Sequence, residues 1–404
     1  MIHSSTRQAP ARHVPDSAGH APRPSEHDAL LSRIIAALVL ALLLFALPGL
    51  LQVAHAARPV AFVPADGSVV LDRLPGGYMQ VVPVHRETPG EAALRAQRLY
   101  QLAARTGDAR LATRADALLA RQPTLQRNAG VRMARAFSAQ HRHDFPAALR
   151  ELDALIAASP RHGEARLARA QIQLVRGNLA AARQDCVALA TGIDQDSGLL
   201  CVAMLSLRQG RTGVAAQVLD RWLRQDGLDP ARRAHALLLR ADVAARARDP
   251  GADAFYRHAM AASPGDVRVL LPYARFLRDT RRPSRVESLL AAYADHDGLQ
   301  LQRALAAQEA GAANAATLRQ SQARRYALLR ALGQTPELRD EAEYLLLLRH
   351  DIPGALAVAQ RNFRTQRDHE DVQVLARAAQ AAGRTEILRN LHDWSAQQGI
   401  GATP

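Results

Sequence analysis

Cysteine, histidine and arginine are the residues through which this 404-residue chain could do chemistry. The two cysteines, Cys186 and Cys201, lie 201 − 186 = 15 positions apart. In an oxidising compartment they could form a disulfide worth roughly 3 kcal/mol through the loop it closes. The competing reading is two buried small apolar side chains that never bond. Neither is flanked by a second cysteine in a CxxC pattern, so zinc and redox-relay chemistry find no support. Among the 15 histidines the densest cluster is His141-Arg142-His143-Asp144. Side chains two apart on a helix point away from one another, and no HExxH or Cys/His ligand spacing occurs, so no metal or other cofactor is expected. The role assigned to His143 and Asp144 is local, as the turn between two helices. Asp144 would place its charge near the positive end of the second helix.

No template for enzyme catalysis is present. The chain has no GxxxxGK[ST], no GxGxxG after a strand and no GxSxG, and Gly76-Gly77 is a lone turn dipeptide. No catalytic residues are therefore assigned, and the chain is read as a non-enzyme. The net charge of +14 comes entirely from arginine, with no lysine, and alanine is in excess. That usage fits a GC-rich genome and weakens any link between the charge and nucleic acid. Arginines gather at 224, 232, 233, 240, 246 and 248, and again at 278, 281, 282 and 285. Aromatic residues make up only 4% and no nucleic-acid reader module is present. A solvated basic face is the plain reading. If the arginines form one ridge, an acidic protein surface or anionic inner-membrane lipid suits it better than nucleic acid.

The elements that would carry these residues are helices. In Ala136 to Pro160 the sequence reads as a helix, a polar turn at His143 and Asp144, and a second helix with Ala148, Leu149, Leu152, Leu155 and Ile156 at intervals of three and four. The unit recurs. Ala136 is matched by Ala170 and Ala203, and Ala148 by Ala182 and Ala215, with steps of 34 and 33 in both columns (170 − 136, 203 − 170; 182 − 148, 215 − 182). An alanine precedes a larger side chain by four in Ala148 and Leu152, Ala182 and Cys186, and Ala215 and Leu219, with Pro160 closing the first unit. In these residues the chain resembles the tetratricopeptide repeat family. The likeness covers roughly residues 93 to 398 and is strongest from 129 to 228. It departs from the family in lacking large aromatics in the first helices, and in placing Asp194 and Gly227 where the first unit has Pro160. The resemblance implies an all-α solenoid of stacked helix-turn-helix repeats, and says nothing specific about activity.

From Gly90 on, turn points appear at Gly107, His143, Gly177, Gly210, Asp249, Arg281, Gly311, Asp351 and Gly383, which predicts about nine helical hairpins. Residues 93–228 read as regular repeats and 229–398 as degenerate ones ending in a C-terminal cap, with a hinge expected near 228–232. Ahead of the repeats, residues 1–33 read as a disordered leader. Residues 34–56 hold the uncharged run Ile34 to Leu51 and then Ala54-His55-Ala56, a pattern like a signal-peptidase site. Cleavage after Ala56 would leave a periplasmic protein; an uncleaved run would anchor the body to the inner membrane from the same side. Residues 57–92, with prolines at 59, 64, 75, 83 and 89, read as an extended arm or N-terminal cap, with short strands expected at Ser68 to Leu71 and Met79 to Val84.

The functional expectation is a protein-interaction scaffold of the bacterial cell envelope, holding a protein or peptide partner in the groove lined by the first helices. Met133, Phe137, Gln140, His141, Gln171 and Met204 are the residues expected to face it. The alternatives are an accessory subunit of an envelope-polymer assembly machine, whether polysaccharide or peptidoglycan, and an enzyme built on the solenoid. No nucleic acid or small-molecule substrate is expected.

Overall fold

Nine helical hairpins follow one another along the described part of the chain. The computed structural model describes residues 88–121, 128–225, 227–293 and 296–400, all within the unit Pro83–Pro404. The leader, the Ile34 to Leu51 run, Ala54-His55-Ala56 and the two expected short strands lie outside the described residues. The hairpins pair α1 (Pro89–Thr106) with α2 (Ala109–Ala120), α3 (Ala129–His141) with α4 (Phe145–Ala158), and α5 (Gly163–Val175) with α6 (Leu179–Ala188). Next come α7 (Gln195–Arg208) with α8 (Thr212–Leu223), α9 (Pro230–Arg246) with α10 (Ala252–Ala262), and α11 (Val267–Asp279) with α12 (Ser284–Leu290). The last three are α13 (Asp297–Glu309) with α14 (Ala315–Ala331), α15 (Leu338–Glu343) with α16 (Ile352–Phe363), and α17 (His369–Ala381) with α18 (Thr385–Gln398). π-helical turns at Leu189–Ile193 and Tyr344–Arg349 extend α6 and α15. There is no strand among the described residues, and the fold is an all-α solenoid.

The reversals fall where the sequence places them, because each needs one residue in the left-handed region. Glycine supplies it at 107, 177, 210, 311 and 383, and His143, Arg248, Arg281 and His350 adopt it at a cost of roughly 1–2 kcal/mol each. Aspartates after two of these turns cap the next helix. Asp144 accepts from the Ala147 N–H at 3.1 Å and Asp351 from the Gly354 N–H at 3.0 Å. The first helix starts at Pro89, inside the stretch read as an extended arm. Thr88 and Glu91 form a capping box around it, and proline at the first helical position gives up an N–H that has no helical partner anyway.

The alanine columns are the seams between helices. Ala136, Ala170 and Ala203 are each at most 1% exposed, and Ala148, Ala182 and Ala215 are fully buried, so a larger side chain at any of them would push paired backbones apart. The expected hinge near 228–232 is bridged by packing. Leu219 and Trp222 share one core with Ala236, Leu239 and Val243 of α9, and the Trp222 indole N–H reaches Asp196 at 3.2 Å. An indole under 2% exposed across this junction couples the regular and degenerate halves instead of leaving them to swing.

Between the third and fourth hairpins, α6 and α7 approach closely. Cys186 and Cys201 are joined there by a disulfide with Cα atoms 5.2 Å apart, a separation ordinary for a bridged pair. Gly198 of α7 faces the backbone of Leu189 and Ala190. Beside it, the buried Asp185 carboxylate accepts from Arg166 at 2.9 Å and from Arg169 at 2.7 and 2.8 Å. Protein isolated without reductant is expected to show no thiol reactive under denaturing conditions, and reduction should lower its melting temperature without changing the helical spectrum. Two reactive thiols would mean that the pair is only packed in solution.

Candidate functional site

The solenoid turns its first helices toward one another, and what they meet is a later part of the same chain. The C-terminal ends of α5, α7, α9 and α11 converge on two segments rich in carboxylates, 337–343 and 362–371. The backbone N–H of Arg367 donates to the Val175 carbonyl at 2.7 Å. Arg208 donates to the Arg367 carbonyl and stands 3.4 Å from Asp368. Arg246 lies 3.9 Å from Glu370. Arg275 donates to Asp340 at 3.0 Å and lies 3.9 Å from Glu343. Arg278 bonds Glu309 and Gln302, and Gln302 passes the contact on to Glu343 at 3.0 Å. At the α3–α4 turn, His143 meets Gln366 at 3.2 Å, and Gln366 also donates to Glu337 at 3.1 Å.

The result is a row of inner arginines facing a row of acids, with Arg339 inserted among the acids themselves. Arg339 lies 3.7 Å from Glu370 and 3.5 Å from the fully buried Asp371, which also accepts from Asn362 at 2.8 Å. Such pairs recover in mutual attraction what they lose in hydration only when their hydrogen bonds are complete. Among the described residues the Nε atoms of Arg208, Arg275 and Arg339 are buried without a protein hydrogen-bond partner. Burial pushes both Asp340 and Glu370 up, and the nearby arginines decide whether that rise stands. Burial raises Asp340 to about 6 despite the opposing pull of Arg275, whereas Arg246 and Arg339 overcome the desolvation of Glu370 and hold it near 2.

His369, at the start of α17, is held neutral down to about pH 4, first by burial and then by the charge of Arg246. The unfolded chain takes up this proton at about 6.5, so below that pH the unfolded state binds more protons than the folded one. The stability associated with a neutral His369 is therefore present above about 6.5 and is lost progressively down to about 4. Comparing His369→Gln with the parent in urea unfolding at pH 7 and pH 4.5, the difference should move in favour of the variant by up to about 3 kcal/mol as the pH falls. A pH-independent difference would show that the imidazole titrates normally.

The residues expected to face a groove differ in setting. Met133 is 1% exposed and lies in the core between α3, α4 and α5, so it packs and cannot present itself to a partner. Phe137 is half-buried and bridges two core clusters. Met204 packs between two others. Gln140 and Gln171 are half-buried, and His141 is exposed beside Tyr100, with ring centroids 6.3 Å apart. Of the six, Met133 and Phe137 share one core. The residues that do converge sit one helical turn further on, in the last turns of the first helices. Of the two arginine groups noted in the sequence, Arg246 and Arg278 reach the seam, while Arg240 pairs with Asp220 and Arg282 and Arg285 with Asp253. A continuous basic ridge is therefore not formed. No helix of the described residues is long and apolar enough to cross a membrane, and no group of three or more His, Cys, Asp or Glu among them is arranged to hold a metal ion.

No family model matches the chain, and no curated protein matches it in sequence. Among solved structures it is similar to the human IFIT1 dimer with PPP-AAAA, at 13% identity over 77% of this chain and 73% of that one, with a TM-score of 0.48. It is also similar to the P58(IPK) TPR domain, at 14% identity over 76% and 92% with a TM-score of 0.24, and to yeast Tom70, at 11% identity over 76% and 84% with a TM-score of 0.25. What this chain is by its own hairpins, turns and alanine seams is an all-α helical-repeat solenoid.

Proposed function

We propose that this chain is a non-catalytic binding scaffold of the bacterial cell envelope whose inner face recognises acidic polypeptide. One observation carries the reading. The inner ends of the first helices already hold a polypeptide segment, through a main-chain hydrogen bond from Arg367 to Val175 and through arginine–carboxylate pairs at Arg208, Arg246 and Arg275. That is the chemistry by which a preorganised solenoid would grip a partner, used here on the chain's own residues 337–371. Among the described residues the buried Nε atoms of Arg208, Arg275 and Arg339 have no protein hydrogen-bond partner, and an external acidic segment that reached them would compete with the internal one. Location in the envelope rests on the Ile34 to Leu51 run and the Ala54-His55-Ala56 pattern.

The test is affinity capture from a periplasmic extract with the mature protein, followed by mass spectrometry and repeated with Arg246→Glu. A partner with an acidic segment, lost in the variant and in high salt, is the expected result. Capture that is indifferent to both would sink the acidic specificity. Recovery of the full-length chain with Ile34 to Leu51 intact in the membrane pellet would favour the anchored form.

A further inference from the structure

Arg208, Arg246, Arg275, Arg278 and Arg339 of the inner seam each have an acid beside them, and a group of arginines at its edge, Arg367 among them, does not. Arg176, Arg364 and Arg367 line a cleft of about 320 Å³ together with Asn178, Thr365 and Gln398. It lies where the α5–α6 turn meets the loop between α16 and α17 and the end of α18. Among the described residues none of the three guanidinium groups has a carboxylate partner, and no acid lines the cleft.

Arg367 is held rigidly at this place. Its backbone N–H is fixed on Val175 at 2.7 Å, its Nε donates to the Phe363 carbonyl at 2.9 Å, and its guanidinium lies 5.1 Å from the Phe363 ring and 5.6 Å from the Trp394 ring. The two rings meet edge to face at 5.1 Å. The wall behind them has no slack. Gly177 has φ +74°, and a Cβ there would come within 2.5 Å of Trp394 Cζ2. Burial, and after it the positive charge of Arg176, lowers the proton affinity of Arg367, so the site carries an uncompensated field. Three arginines lining one cleft repel one another unless an anion lies between their charges. Their planar forks suit tetrahedral oxyanions, which accept several charge-assisted hydrogen bonds at once.

We propose that this cleft binds the phosphate group of a small, multiply charged ligand, with Arg176, Arg364 and Arg367 as the charge clamp and Asn178, Thr365 and Gln398 as neutral donors around it. A dianion matches the local charge better than a carboxylate does, and the site has no metal-like ligand set that would call for a bridging cation. Because the cleft joins the third hairpin to the last two, an occupant also ties the two ends of the seam together and stabilises the folded chain by mass action.

Isothermal titration calorimetry and thermal melts of the mature protein, at constant ionic strength, decide the matter. Inorganic phosphate, pyrophosphate and glycerol 3-phosphate are the ligands, with chloride as the balancing ion. Saturable one-to-one binding with a rise in melting temperature is expected, tightest for pyrophosphate if the source is inorganic and for glycerol 3-phosphate if it is an organic ester. Arg176→Gln and Arg364→Gln should each weaken binding by about tenfold, with a ligand-free melting temperature equal to or slightly above the parent's because one repelling charge is gone. Arg367 is kept because it also holds the seam. Arg224→Gln, on an exposed arginine of another hairpin, should leave binding as it was. Equal stabilisation by matched chloride, or an equal loss in Arg224→Gln, would reduce the effect to general screening and overturn the site. Capture of a polypeptide by the inner face does not depend on either result.

Discussion

Replacing Gly198 by alanine is expected to destabilise the chain by about 3 kcal/mol or more, although the substitution adds a single methyl group inside a helix. In most helix interiors this change is favourable by about 1 kcal/mol, because alanine is the better helix former. Here the sign reverses. A Cβ at Gly198 would overlap the backbone N and Cα of Ala190 and come within 2.6 Å of the Leu189 carbonyl carbon. Those atoms belong to the π-helical turn that closes the third hairpin, and backbone cannot rotate aside as a side chain can. The Cys186–Cys201 bridge, three residues further along α7, ties the same two helices and prevents them from separating to make room. Gly213 in α8 is the control, since a Cβ there meets nothing within 4 Å, and Gly213→Ala should be neutral or mildly stabilising. Urea melts of the two variants beside the parent measure the contrast, and similar midpoints would mean that α6 and α7 are not in backbone contact in solution.

Asp185→Ala should cost about as much, for an electrostatic reason. Its side chain is 1% exposed and accepts from both Arg166 and Arg169, whose side chains are only 17% and 23% exposed. Removing the acid leaves two largely desolvated guanidinium groups facing each other, a change that typically costs 3–5 kcal/mol. Arg169 retains Asp153 at 2.7 Å, but that carboxylate is 58% exposed and offers little in return. Asp153→Ala therefore belongs with surface ion pairs, at about 0–1 kcal/mol. Chemical denaturation of both variants at low and high salt checks the pair of values. Equal losses from the two aspartates would show that burial does not govern this cluster.

The features legible in the sequence were those fixed by neighbours in the chain. A left-handed turn residue, a capping aspartate and a small residue at a helix crossing each impose their demand locally, so Gly177, Asp144 and Ala182 could be placed by spacing alone. Pro89 misled because proline both breaks and begins helices, and only the Thr88–Glu91 box distinguishes the two. Met133 misled for a different reason. A first helix packs against its own partner and against the next hairpin, so its apolar periodicity marks two buried faces and does not single out a third, inner one. The seam was hidden because its partners are remote: Arg208 and Arg367 are 159 positions apart, and His143 and Gln366 are 223. A trace of it existed in the acid-rich stretches at Glu337, Asp340, Glu341 and Glu343 and at Asp368, Glu370 and Asp371, opposite in charge to the last turns of the first helices. Complementary blocks of this kind show that two segments can pair, while which pair forms depends on curvature that no local pattern encodes.

The bond from the Arg367 N–H to the Val175 carbonyl also sets an order of events in time. During synthesis seven hairpins are complete before Glu337 is made, so Arg208, Arg246 and Arg275 pass that interval without the acids they later meet. Closing a loop of 367 − 175 = 192 residues carries an entropic cost that the local hairpins do not bear. Contacts of such separation form late. The chain thus passes through a stage with an assembled but empty arginine row, when an acidic segment of another molecule competes for it on equal terms.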